Sequence, residues 1–297
     1  MNRIKDQIRC GAAYRLGLTG KGIGVAVLDT GIFLHRDFDS RVIGFADMVN
    51  GKNFAYDDCG HGTHICGIIG GSGRMSGGRY SGIAPGCDLV MVKVLDRKGN
   101  GYSSDVLAGI SWILERKEKL GIRILNISVG ACSKRGMSEN SALVKGVNRA
   151  WDAGLVVVVA AGNNGPRTMS ITTPGISRKV ITVGCSDDDR EVLVGGNRMV
   201  DYSGRGPTAA CICKPDLVAP GCSVISCSGR ADKYTIKSGT SMSTPIVSGA
   251  AALLLERYPD MTNKDVKLKL RESCTDIGLP RNQQGWGLLD VEKLVSK

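Results

Sequence analysis

The chain of 297 residues is long enough to bury one large core, and its 42% hydrophobic and 23% charged residues are typical of a globular protein. A formal net charge of +11 is compatible with nucleic acid, an anionic membrane or an acidic substrate as partner. However, the lysines and arginines are dispersed, and no apolar run reaches the ~18 residues of a membrane span. We therefore expect a protein that binds neither nucleic acid nor membrane.

The N-terminal segment, residues 1–20, precedes the first predicted strand and lacks the apolar core of a secretory signal. Eleven cysteines, an odd number, would leave at least one thiol unpaired in an oxidising compartment. We therefore expect a cytoplasmic protein. The alternative is a secreted mature domain whose signal lies outside this chain.

Short β-branched runs alternate with longer helical patterns along the chain. Strands are expected at 24–28, 89–95, 124–129, 155–159 and 180–183, and helices at about 61–70, 103–120, 138–153, 242–258 and 263–273. The nearly continuous apolar strands suit a parallel sheet that helices cover on both faces. The expected fold is α/β, with three layers and a doubly wound, mostly parallel sheet. Because no repeat or low-complexity linker interrupts the chain, we expect a single domain over 1–297.

Two candidate residues lie near the first strand and the first long helix. Asp29 directly follows the first strand, so its carboxylate should lie at the carboxyl edge of the sheet, where ligands bind. Taken alone, it is at least as typical of a turn before a glycine. His61, flanked by Gly60 and Gly62, opens the next helix. A metal pair with His64 is disfavoured, because zincin histidines are four residues apart with a glutamate between them.

Two more candidates follow later in the chain. Asn163 comes after the strand at 155–159 and should project at the same sheet edge, although a turn asparagine is the simpler interpretation. Ser241 directly precedes a long apolar run and should lie at or just inside a helix N-terminus. An ordinary N-cap serine explains it equally well when it is taken alone. The positive end of a helix also stabilises a developing oxyanion.

The segments around these four candidates, in the order Asp, His, Asn, Ser, resemble the signature segments of the subtilisin family of serine proteases (subtilases). These segments are 27–32, 60–64, 161–163 and 239–245. Further similarity lies at 82–85, 126–130, 202–207 and 214–221, so that the resemblance runs from about residue 8 to 290.

The resemblance implies a serine endopeptidase that works through an acyl-enzyme intermediate. Ser241 would attack the scissile carbonyl, His61 would be the base, and Asp29 would hold the imidazole in the required tautomer. The Asn163 side chain and the Ser241 N–H would form the oxyanion hole. No cofactor is expected for catalysis. The alternative is a non-catalytic relative that binds peptides, although such relatives usually lose a triad residue.

The resemblance also implies a groove in which a protein or peptide substrate pairs as an added strand. The pairing residues would be Ser128, Val129 and Gly130 on one side and Gly99, Asn100 and Gly101 on the other. Ala160, Ala161 and Gly162 would border the first side-chain pocket. Because Thr172 and Thr173 face this pocket, we expect it to be somewhat restricted.

The chain departs from the family at the prodomain and at the calcium site. Only about twenty residues precede the first predicted strand, so we expect no family prodomain and activity that is controlled in another way. Asp37 corresponds to an aspartate of the family's structural calcium site, but the loop at 70–79 offers no carboxylate or amide side chain and contains two arginines. We therefore expect that calcium site to be absent or altered. Asp187, Asp188 and Asp189 form a second acidic group, which we expect to be a solvated turn; the alternative is a calcium site there.

The cysteines raise two further hypotheses. Cys211, Cys213, Cys222 and Cys227 fall in one stretch, but their spacing differs from a zinc knuckle, and we expect buried free thiols. Cys59 lies near His61 in the sequence. Thiol reagents are equally expected to abolish activity, because they block the site, or to have no effect, because the thiols are inert.

Overall fold

A sheet of seven parallel strands forms the centre of the computed structural model, which describes residues 1–130 and 139–296. The strands in these residues are β1 (Gly24–Asp29), β2 (Val42–Asp47), β3 (Asp88–Lys93), β4 (Ile122–Ile127), β5 (Val156–Ala160), β6 (Ile181–Cys185), β7 (Val192–Val194), β8 (Asn197–Met199), β9 (Leu217–Ala219), β10 (Val224–Cys227) and β11 (Tyr234–Lys237). The large sheet has the order β2-β3-β1-β4-β5-β6-β9, and all its neighbours run parallel. Two antiparallel hairpins, β7-β8 and β10-β11, lie outside it.

Helices cover both faces of this sheet. They are α1 (Asn2–Gln7), α2 (Gly11–Arg15), α3 (His61–Gly70), α4 (Ser103–Arg116), α5 (Ala142–Asp152), α6 (Thr240–Arg257), α7 (Asn263–Ser273), α8 (Arg281–Gln284) and α9 (Val291–Val295). Leu28 and Val92 approach α4 at Gly109, whereas their neighbours Asp29 and Met91 approach α3 at Gly62. Successive strand residues point to opposite faces, so α3 and α4 lie on opposite sides of the sheet. Since α6 packs on α3 and α5 packs on α4, the predicted three-layer α/β fold is confirmed.

The core lies between the sheet and its two helical layers. All six residues of β1 and all five of β5 are buried, as expected for parallel strands that are covered on both faces. Helix α6 is buried continuously from Met242 to Leu255, and it contacts β4, β5, β6 and α3. A helix that is buried on all sides carries no polar face, which explains its uninterrupted run of apolar and small residues. No helix of the described residues is long and apolar enough to cross a bilayer.

The boundaries of the predicted elements agree with the structure to within a few residues, with three differences. Helix α4 ends at Arg116 rather than at 120, because residues 117–120 form a turn that leads into Gly121 at a φ of 57°. The predicted start of α5 at 138 lies outside the described residues. Several elements were not predicted at all: the edge strands β2 and β9, the strands β7, β8, β10 and β11 of the two hairpins, and the short helices α1, α2, α8 and α9.

Candidate active site

The carboxyl ends of β1, β4 and β5 meet at one edge of the sheet. Asp29 is the last residue of β1, the segment 128–130 follows β4, and Ala160 is the last residue of β5. The strands β2 and β3 lie on one side of β1, while β4 and β5 lie on the other. In open α/β sheets, ligands bind outside such a reversal of strand order.

Asp29 and His61 form a hydrogen-bonded pair at this edge, with His61 partly exposed to the cleft. The Nδ1 atom of His61, the first residue of α3, lies 2.8 Å and 2.9 Å from the two carboxylate oxygens of Asp29. Asp29 is fully buried and also accepts a 2.8 Å hydrogen bond from the N–H of Thr30. Burial acts to lower the pKa of His61, but the charge and hydrogen bonds of Asp29 outweigh burial, so that the pKa is raised. With Nδ1–H donating to Asp29, Nε2 is the nitrogen that can accept a proton.

Asp57 holds the elements that carry this pair, and it was not predicted from the sequence. One of its oxygens accepts hydrogen bonds from Thr30 Oγ1 (2.9 Å), Cys59 N (3.1 Å) and Gly60 N (2.7 Å). The other accepts from the N–H (2.9 Å) and the hydroxyl (2.6 Å) of Thr63. Asp57 therefore ties the start of α3 to the residue that follows Asp29. The signal was its position four residues before His61, where a carboxylate favours a helix N-terminus.

Ser241 is the second residue of α6, as its position before an apolar run predicted. Its hydroxyl donates a 2.7 Å hydrogen bond to the carbonyl oxygen of Ser128. Ser128 is one of the residues expected to pair with a substrate backbone. The candidate nucleophile thus contacts the segment of the protein that is predicted to pair with the substrate.

Asn163 lies beside the start of α6, with its side chain fixed by Thr240. Its Oδ1 accepts hydrogen bonds from the N–H and the hydroxyl of Thr240, both at 3.0 Å. Because the amide oxygen is held there, the amide nitrogen is the end of the side chain left to donate. Gly239, at a φ of 139°, allows this close approach, since a Cβ there would lie 3.3 Å from Asn163 Nδ2.

One cleft of about 450 Å³ brings most of the predicted site residues together. Its lining includes His61, Asn163, Ser241, Gly99, Ser128, Val129, Gly130, Ala160 and Gly162. Asn100 and Gly101 line a second pocket of about 210 Å³, which shares Gly99, Val129 and Gly130 with the cleft. Asp29 is buried behind His61, and Ala161 is fully buried beneath the cleft, with its carbonyl oxygen accepting from Thr172 N at 2.9 Å.

The two threonines that were expected to face the first pocket line different pockets in the structure. Thr172 lines the cleft, where a Cβ at Gly130 or Gly162 would lie 2.3–2.4 Å from its side-chain atoms. It therefore fills the space between the two glycines. Thr173 lines the second pocket instead.

Asp37 is buried far from this cleft, and both its oxygens have protein partners. Oδ1 accepts from Met75 N at 2.9 Å, and Oδ2 accepts from the hydroxyl of Tyr234 at 2.7 Å. His35 and Cys227 lie beside it, close enough to form a group of three metal-ligand types. The Nδ1 of His35 already accepts from Asp37 N at 3.1 Å, and its Nε2 lies 3.1 Å from the carbonyl oxygen of Lys233. Each ligand atom of the group therefore has a hydrogen-bond partner within the protein.

The expectation of a solvated turn at Asp187, Asp188 and Asp189 is wrong for the first two. Asp187 pairs with Arg3 at 2.8 Å and accepts from Gly221 N at 2.6 Å. Asp188 is buried, and its carboxylate accepts from a backbone N–H at 2.7 Å. Only Asp189 is exposed. The sequence did not indicate that these carboxylates cap backbone groups of distant segments.

The four cysteines of the stretch 211–227 do not form one cluster. Cys222 and Cys227 are buried, with Cys222 beside the hydroxyl of Tyr202 at 3.0 Å and Cys227 beside Asp37 at 3.8 Å. Cys211 and Cys213 are exposed, so the expectation of buried thiols is wrong for these two. Since the four sulfur atoms face different surroundings, they provide no common ligand set.

Comparisons with known proteins identify the family of the chain and several relatives. Residues 20–287 match the Subtilase family. The chain is 44% identical over 292 residues to Serine protease AprX of Bacillus subtilis (strain 168), covering 93% of this chain and 65% of that protein. It is 35% identical over 287 residues to Subtilisin Savinase of Lederbergia lenta, covering 97% of this chain and 96% of that protein. The solved structure of Sphericase superimposes with a TM-score of 0.77 at 31% identity, covering 92% of this chain and 93% of that one.

Proposed function

This chain belongs to the subtilase family of subtilisin-like serine proteases, and on that premise we propose that it is a serine endopeptidase acting through Asp29, His61 and Ser241. The observation that carries the proposal is the buried contact between His61 Nδ1 and the Asp29 carboxylate, in the cleft that Ser241 also lines. The substrates are proteins or peptides. Because the chain spans only 65% of the length of AprX, the activity proposed is that of this domain.

Acylation begins when substrate backbone occupies the groove. In the free protein, the Ser241 hydroxyl donates to the Ser128 carbonyl oxygen. A substrate N–H that pairs with this carbonyl releases the hydroxyl, which turns to Nε2 of His61. His61 removes the proton as Ser241 attacks, and it later gives the proton to the leaving amine. Asp29 keeps the imidazole in the Nδ1–H tautomer and stabilises the imidazolium.

The oxyanion of the tetrahedral intermediate is held by the amide nitrogen of Asn163 and the backbone N–H of Ser241. Support comes from Thr240, which holds the amide oxygen of Asn163 and leaves its nitrogen as the donor. The N-terminus of α6 adds positive potential at the same point. Loss of one such donor typically raises the barrier by about 3 kcal/mol, a figure taken from subtilisin.

Thr172 restricts the first side-chain pocket of the groove. It fills the space between Gly130 and Gly162, so a substrate side chain bound there has less room than two glycines alone would leave. We expect kcat/KM to favour Ala over Phe at the residue before the scissile bond, and Thr172→Gly to raise the rate for Phe selectively. A peptide series that varies only this residue measures the preference. Free acceptance of Phe and Tyr by the unmodified protein would contradict the restriction.

The cysteines support a reducing compartment as the place where the protein works. The ten cysteines of the described residues are all free thiols, and six of them are buried. We therefore propose a cytoplasmic location. To test this, the purified protein is unfolded without reductant, alkylated and analysed by mass spectrometry. Every cysteine should carry the label.

A casein or peptide assay of the protein beside its Ser241→Ala variant tests the proposed activity. The unmodified protein should cleave the substrate and react with a fluorophosphonate probe, whereas the variant should do neither. Asp189→Ala, at an exposed position, is the matched control and should retain both properties. Equal activity of the unmodified protein and Ser241→Ala would refute the assignment.

A further inference from the structure

The charges that line the cleft are strongly unequal. Among the described lining residues, the cationic side chains are Lys98 and Lys237, and no carboxylate lines the cleft. The whole chain also carries a formal net charge of +11.

Lys237 is held close to His61 by the hairpin that carries it. It is the last residue of β11 and lies four residues before Ser241. The hairpin packs on α3, where Nε2 of His64 lies 3.1 Å from the carbonyl oxygen of Val224 and 3.2 Å from that of Thr235. Burial lowers the pKa of His64 most, and the positive charge of Lys237 lowers it further, to about 3. The ammonium group is therefore near enough to act electrostatically on groups of this helix.

The carboxylates near Lys237 are engaged by other groups. Asp29 binds His61, Asp57 accepts five hydrogen bonds at the start of α3, and Asp58 pairs with Lys93 at 2.8 Å. No ion pair of Lys237 is formed within residues 1–130 and 139–296. A half-buried cation that forms no ion pair is stabilised when a ligand supplies a carboxylate within contact distance.

The position of Lys237 assigns it to the leaving side of the substrate. Under the proposed function, the acyl part of a substrate pairs with 99–101 and 128–130. His61 gives its proton to the leaving amine, so the residues after the scissile bond pass on the His61 side, where Lys237 lies. Lys98 lies at the opposite end of the cleft, where the carboxylate of Asp96 offsets its positive charge. Two backbone hydrogen bonds lower the pKa of Asp96 most, and the charge of Lys98 lowers it further.

We propose that Lys237 gives the protein a preference for substrates with aspartate or glutamate in the first two residues after the scissile bond. This inference rests on the proposed function, since it concerns the same cleft. The acidic side chain completes the ion pair that Lys237 lacks within the protein. A basic side chain at the same place meets repulsion.

Three internally quenched peptides, which carry Glu, Gln or Lys in both residues after the scissile bond and are otherwise identical, test the inference. The unmodified protein should cleave them in the order Glu, Gln, Lys, with kcat/KM differing by roughly fivefold per step at low salt. Added salt of about 0.5 M should shrink the differences. Mass spectrometry of the products verifies that all three are cut at the intended bond.

Variants of three lysines separate the role of Lys237 from that of net charge. Lys237→Gln should abolish the preference, Lys237→Glu should reverse it, and Lys237→Arg should retain it. Lys98→Gln, in the same cleft, and Lys264→Gln, exposed on α7, remove the same charge and should leave the Glu-to-Gln ratio unchanged. Fluorophosphonate labelling of each variant gives the fraction of active protein, by which the rates are corrected.

Two results would overturn the inference. These are equal kcat/KM for the three peptides with the unmodified protein, and a Glu preference that survives Lys237→Gln. Cleavage and labelling without a charge preference would contradict this inference alone. Absence of both cleavage and labelling would instead contradict the proposed function.

Discussion

At the scale of single residues, His61 determines how activity depends on pH. The Asp29 carboxylate raises the pKa of His61 above its ordinary value of 6.5, even though burial acts in the opposite direction. A raised pKa keeps the imidazole protonated up to a higher pH, and the protonated form cannot act as base. We expect kcat/KM for an uncharged peptide to fall on the acid side with an apparent pKa above 6.5. Rates measured from about pH 5 to pH 9 test this, and a midpoint at or below the ordinary value would contradict it.

Asp57 is expected to matter for both stability and activity. Asp57→Ala leaves five donors around the start of α3 without their acceptor, so the free energy of unfolding should fall by about 2–4 kcal/mol. Since the same donors position His61, kcat/KM should fall by about tenfold or more at a temperature where the variant is fully folded. Asp57→Asn keeps one acceptor oxygen and should be less impaired in both respects. Denaturant unfolding and steady-state kinetics measure the two effects, and an unchanged kcat/KM in folded Asp57→Ala would refute the positioning role.

At the scale of elements, the contact between α3 and β1 sets the distance between Asp29 and His61. A Cβ at Gly62 would lie 2.2 Å from the carbonyl oxygen of Gly31 and 3.2 Å from Cβ of Asp29. The backbone at Gly31 cannot move aside as a flexible side chain could. Gly62→Ala must therefore push α3 away from the strand β1. We expect a loss of about 2 kcal/mol in the free energy of unfolding and a fall of about a hundredfold in kcat/KM.

A second helical glycine provides the control for Gly62→Ala. At Gly11 in α2, an added Cβ meets only a guanidinium nitrogen of Arg15 at 3.6 Å. Gly11→Ala should therefore leave kcat/KM unchanged. Similar kinetics for both variants would show that the close approach of α3 does not position His61.

The elements that could be predicted from the sequence are those with strong local patterns. The run Val156–Ala160 and the long apolar segment of α6 are buried on all sides, and burial of this kind produces continuous apolar sequence. The strand β2 (Val42–Asp47) was missed because five of its six residues are only partly buried, which weakens both the alternating and the continuous apolar pattern of a strand. The strand β9 (Leu217–Ala219) has three residues, too few to show a period. Both lie at the edges of the sheet, where pairing with one neighbour fixes them.

At the scale of the whole molecule, two of the four candidate residues could be placed from the sequence because they lie at strand ends. Asp29 ends one buried parallel strand and Asn163 comes just after another, and such ends meet at one edge whatever the loops do. The full set, with His61 and Ser241 on helices, followed from the resemblance of the signature segments. The partners that hold the site were not predictable in the same way. The acceptor role of Asp57 and the contact of Thr240 with Asn163 depend on distances between segments that sequence order does not give. The same reason explains why Asp187, which pairs with Arg3 across most of the chain length, was expected to be solvated.

The stability of the whole molecule is expected to be nearly independent of calcium. Asp37, the residue that corresponds to the family's calcium aspartate, already accepts from Met75 N and from the Tyr234 hydroxyl. The adjoining loop provides Arg74, which pairs with Asp39 at 3.3 Å, and no carboxylate of its own between 70 and 79. Calcium requires six to eight oxygen ligands, so binding there would break these contacts before it gained new ones.

We therefore expect Tm in millimolar calcium to differ from Tm in EDTA by less than about 2 °C. Magnesium at the same ionic strength is the control for general salt effects. Asp37→Asn should lower Tm by the same amount with and without calcium, because the carboxylate stabilises the fold through its protein hydrogen bonds. A rise of about 5 °C or more with calcium, lost in Asp37→Asn, would show that Asp37 binds the ion after all.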